Sequence, residues 1–89
     1  MTLISQAELP AQVTTNDPCV AVEHFRDNAV RVTVQGRTIG YIEVVGRLFV
    51  SLAGHRYDRA VEVRQSLILE TAIDDLVAHD RLARHAATE

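Results

Sequence analysis

Apolar and polar positions alternate with a period of two through the middle of the chain and change to a helical period near its C-terminus. Val30, Val32 and Val34 fall on one side of a run whose other side is Arg31, Thr33 and Gln35, the pattern of a half-buried strand. Ahead of it, Val20, Val22 and His24 alternate with Cys19, Ala21, Glu23 and Phe25, which predicts a first strand with a weaker apolar face. Asp27-Asn28 supplies the turn between them, because both side chains bond to nearby backbone and tolerate left-handed geometry.

Gly36-Arg37 and Gly46-Arg47 fit two-residue hairpin loops with glycine first, so residues 38–45 and 48–53 are predicted as the next two strands of a meander. Gly40, inside one of them, points to a bulge or to close packing. Residues 57–64 fit a strand through Tyr57, Val61 and Val63. The competing reading, a helix from Asp58 to about Arg84, would span roughly 40 Å, too long for so small a domain. Ser66 then caps a helix starting near Leu67, with Glu70 close to its positive end. Leu69, Ala72, Ile73, Leu76 and Ala83, widened by Ile68 and Val77, form one stripe. Asp80 and Arg84 are spaced as a pair on one helix face.

These elements predict an α+β fold: an antiparallel meander sheet of four or five strands with one C-terminal amphipathic helix packed on one face. Residues 1–18 contain Pro10, Pro18 and a polar run, Thr14-Thr15-Asn16-Asp17, and read as a mostly irregular N-terminal arm. Residues 19–89 form the single domain.

A loop at Gly36-Arg37 pairs Val34 with Ile39 and Val32 with Tyr41. Carried through both hairpins, this register gathers Val30, Val32, Val34, Ile39, Tyr41, Val45, Leu48, Val50 and Leu52 beneath the helix. The opposite face receives Arg31, Thr33 and Gln35 together with Ile42, Val44, Phe49, Ser51 and Ala53. Ile42, Val44 and Phe49 then form an apolar cluster that no second helix covers, and such clusters commonly mark interaction sites. The arm, a second copy or a ligand would have to cover it.

Composition adds bounds. The chain has 89 residues, 47% hydrophobic and 24% charged, a profile of a folding chain rather than a disordered one. So small a domain buries only about 60 to 65% of its unfolded surface, which favours a homodimer or another protein partner. No segment approaches the roughly 18 apolar residues of a membrane helix, and the N-terminus lacks a signal-peptide pattern. A cytoplasmic protein with no membrane partner is expected.

Every basic residue is Arg. Residues 24–64 hold seven Arg against four acids, while the flanking segments are each net acidic and the whole chain is at −3. A basic centre can steer an anionic partner over about 8 to 10 Å in cellular salt. Nucleic-acid binding through Arg31, Arg37 and Arg47 is therefore the alternative function, since arginines on a β ribbon and its loops can reach bases and phosphates. The acidic total and the absence of Lys weigh against it.

Catalytic chemistry finds little support. His24, His55 and Asp58 would need strand ends to bring them into hydrogen-bond reach. Asp75 and His79 share a helix face but lack third and fourth metal ligands. Cys19 is the one cysteine, which rules out an internal disulfide and suits a small apolar role. Asp74 and Asp75 point about 100° apart on a helix, and the single glycines cradle no phosphate. The sequence thus predicts a non-catalytic protein–protein interaction module without cofactor or metal, self-associating through the sheet face that the helix leaves open.

Overall fold

The computed structural model describes residues 19–87; the arm predicted for residues 1–18 lies outside them. Five strands follow one another as β1 (Val20–Arg26), β2 (Ala29–Val34), β3 (Arg37–Val45), β4 (Leu48–Ala53) and β5 (Val61–Ser66), and α1 (Leu69–Ala87) closes the chain. The sheet is antiparallel throughout, and its spatial order is the sequence order. The α+β meander is therefore present, with five strands rather than four.

The first β hairpin with a glycine departs from expectation by one residue. Its loop is Gln35-Gly36, with Val34 opposite Arg37, and both loop residues have positive φ, 52° and 81°. Two left-handed residues make the turn whose twist matches the flanking strands, so glycine is needed second rather than first. Two pairs further on, Thr33 faces Thr38 and Val32 faces Gly40, leaving Ile39 as an extra, bulged residue. The second loop, at Gly46-Arg47, does close with Val45 opposite Leu48, and Gly46 has φ 62°.

The net result is a one-residue slip between β2 and β3, and a slip of one exchanges the faces of every residue that follows. Val32 faces Gly40 rather than Tyr41, and Val30 faces Ile42. Ile42, Val44 and Phe49, assigned from the sequence to the open face, lie on the helix side instead. Ile42 is fully buried, Phe49 is 7% exposed, and Val44 is packed against the same cluster. Tyr41, Val45, Leu48, Val50 and Leu52 move to the other face.

The helix packs across β3, β4 and β5, setting Leu69, Ala72, Ile73 and Leu76 against Val30, Val32, Ile39, Ile42 and Phe49. Each large aliphatic buried here contributes about 1.5 to 3 kcal/mol. Gly40 makes the approach possible, because a Cβ there would sit 2.4 Å from the Leu52 carbonyl oxygen and 2.8 Å from Leu76 Cδ2. Ser51, fully buried, donates its hydroxyl to the Ala72 carbonyl at 3.0 Å. The Ser66 hydroxyl accepts the Ile68 N–H at 3.0 Å, but the first helical residue is Leu69, so this bond shapes the turn ahead of the helix and Ser66 is not its cap.

Residues 57–64 divide in two. Tyr57–Arg59 form a 3-10 turn, and the strand begins only at Val61. Another bulge, opposite Ser51 and Leu52, leaves Val63 as the extra residue of β5.

Candidate interaction surfaces

On the sheet face away from α1, where the described residues place no second helix, Tyr57 covers part of the sheet. The segment after β4 turns back over the sheet, and the Tyr57 ring seats against Phe25 of β1 and Tyr41 of β3, with centroids 5.1 and 5.4 Å away; Phe25 and Tyr41 are 4.9 Å apart. The Tyr41 hydroxyl donates to the His55 carbonyl at 3.1 Å, and the Tyr57 hydroxyl donates to the Glu43 carboxylate. That bond raises the Tyr57 phenol above its ordinary value, burial and the Glu43 charge add to the effect, and the Arg26 charge opposes it.

Two guanidinium groups complete the cluster. Arg26 lies 4.4 Å from the Tyr57 ring centre and Arg31 lies 5.3 Å from that of Phe25, distances at which a cation is attracted to a ring face. Arg31 also approaches Glu23 at 3.6 Å. The three rings touch one another and their cations belong to the chain itself. The cluster is thus a strap that holds the β4–β5 connection on the sheet rather than an open cage.

Beyond the strap, the same face ends in an exposed apolar row. Val45 and Leu48 are cross-strand partners, and Leu67 follows Ser66, the last residue of β5 and the partner of Phe49, at the same end of the sheet. Val45 is 52% and Leu67 69% exposed. Leu48 is half-buried, and Val50, two residues along the same face, is buried. Leu67 is missing from the sequence-derived surface because the sequence pattern begins the helix near Leu67, with Ile68 and Leu69 in its stripe, whereas α1 begins at Leu69. Three consecutive aliphatics span about 200° of a helix, so one stripe cannot bury them all.

A groove of about 610 Å³ opens where the last turns of α1 pass over the β2–β3 loop. His55, His79 and Thr38 border it, and Arg37 crosses it to Asp80 through hydrogen bonds of 3.1 and 2.9 Å. The paired fork raises the Arg37 pKa further and occupies the groups that would otherwise receive an anion. Asp80, expected to pair with Arg84 along the helix, is thereby tied to the sheet.

The remaining candidate residues are scattered. His55 borders the groove, Asp58 turns to Arg56 at 3.3 Å, and His24 sits on β1 opposite Val30. Val30 faces α1, so His24 lies on the helix side of the sheet while the strap that carries Asp58 lies over the other side, and the acid–base grouping is not assembled. Asp75 lies 3.8 Å from Arg64, and among the described residues no group of three His, Cys, Asp or Glu could hold a metal ion. Arg31 is stacked on the strap, Arg37 is held by Asp80, and Arg47 lies in the loop at the opposite end of β3 from Arg37, roughly 30 Å away along an extended strand. They form no common surface.

No protein-family model, no curated protein and no solved structure matches the chain. Among the described residues no helix is long and apolar enough to cross a membrane.

Proposed function

We propose that this protein is a non-catalytic protein–protein interaction module that self-associates through the open sheet face, at the row formed by Val45, Leu48 and Leu67. The observation that carries this reading is the gathering of large exposed aliphatics at one end of that face. Large aliphatics exposed together at one end of a sheet face commonly mark contact sites. A domain of this size also gains more than a larger one from added burial, and two-fold pairing is the commonest solution. The partner surface differs from Ile42, Val44 and Phe49, which are occupied by α1.

Light scattering coupled to size-exclusion chromatography, at low and high salt, tests the proposal. A dimer at both salts is expected, because apolar contact is insensitive to ionic screening. Leu67→Asp places a charge in the row and should yield a monomer with an unchanged circular dichroism spectrum. A wild-type chain that remains monomeric at millimolar concentration would remove self-association as its function.

A further inference from the structure

A second surface, independent of the Val45–Leu67 row, lies along β5. Among the described residues β5 is the last strand of the sheet, so its outer side presents backbone N–H and C=O groups that only another extended backbone can match. One flank of α1 runs beside it. Between the two is a depression of about 150 Å³ lined by Val63, Arg64, Asp75, Ala78, His79 and Leu82, close to the cavity size that admits one benzene-sized group.

Val63 and Arg64 are consecutive, and a regular strand would send them to opposite faces. The bulge at Val63 resets the alternation, so both line the depression. Leu82 is 72% exposed at one end of this flank, and Ile68 is 57% exposed at the other. The span from Ile68 to Leu82 is roughly 21 Å along a helix, and a strand as long as β5 covers roughly 20 Å.

Charge narrows the occupant further. Arg64 is held only loosely by Asp75, at 3.8 Å, and its side chain is 67% exposed, so its guanidinium is available to a carboxylate beside the depression. We infer that β5 and the adjoining flank of α1 bind an extended peptide segment of a partner protein, adding it as a further strand. The segment seats one aliphatic side chain against Val63, Ala78 and Leu82 and sets an acidic neighbour on Arg64. A second copy fits less well, because it would set a bulged β5 against a bulged β5, two irregularities where a regular peptide strand meets only one.

Panning a phage-displayed library of random linear heptapeptides on the full chain tests this. Enriched sequences should carry an aliphatic residue with an acidic neighbour, and their synthetic versions should shift and protect the backbone amides of residues 61–66 in nitrogen-15 NMR spectra. Ala78→Trp, which fills the depression from an exposed helix position, should weaken binding at least tenfold, as should N-methylation of alternate peptide amides. Leu67→Asp should leave binding unchanged, which separates this site from self-association. Absence of enrichment, equal binding of N-methylated peptides, or protection confined to other elements overturns the inference. If Ala78→Trp instead converts a wild-type dimer to a monomer, the edge belongs to a second copy and the peptide site is rejected.

Discussion

Gly40 is where a single hydrogen atom in place of a side chain decides how closely helix and sheet approach. A methyl group there would meet backbone on one side and Leu76 on the other, at 2.4 and 2.8 Å, and backbone cannot step aside as a flexible side chain can. Gly40→Ala should therefore lower stability by about 3 kcal/mol, the upper range for overpacking, read as a fall in the urea midpoint. Gln35 presents the reverse case. Its left-handed backbone, at φ 52°, is unfavourable for most residues by about 1 kcal/mol and suits asparagine better. Gln35→Asn should raise the urea midpoint by the equivalent of about 0.5 kcal/mol without altering the slope.

At the scale of elements, the β4–β5 strap shows how a connection between strands can cover part of a sheet's second face. Tyr57 anchors it through ring contacts and the Glu43 carboxylate. Because the Tyr57 phenol is raised in the folded protein, its stabilising contribution is fully present below the unfolded value near 10 and is lost as pH rises through the folded value. Tyr57→Phe should lower stability by about 1 kcal/mol at neutral pH. The difference between variant and wild type should shrink in urea titrations repeated above pH 10. An unchanged difference would show that the hydroxyl bond contributes nothing to the strap.

For the molecule as a whole, the exposed row and the burial expected of so short a chain bear on the same question. If folding and association are linked, the thermal midpoint of the wild-type protein rises with protein concentration, because the partner acts as a ligand of the folded state. The Leu67→Asp variant should melt at a midpoint that does not depend on concentration. The one-residue slip is what moved the apolar residues of β3 and β4 between faces. Had the first hairpin closed at Gly36-Arg37 without a bulge, Leu48 would lie under α1 and Phe49 would lie in the open.

The sequence by itself determined the elements: the period of two around Val30 to Val34, the turn glycines, and the helical stripe through Leu69, Ala72, Ile73 and Leu76 are local patterns with local physical causes. It also determined the order of the sheet, since each short connection leaves its strands little choice but to pair as neighbours. Only the tertiary structure decided the faces. A bulged Ile39 and a loop one residue earlier leave the hydrophobic alternation of each strand intact, and β3 and β4 carry aliphatics on both sides, so neither register violates the pattern. Packing chose between them, because Gly40 leaves room for α1 and Ser51 bonds to it, while Tyr41 on the other side finds Phe25, Tyr57 and the His55 carbonyl.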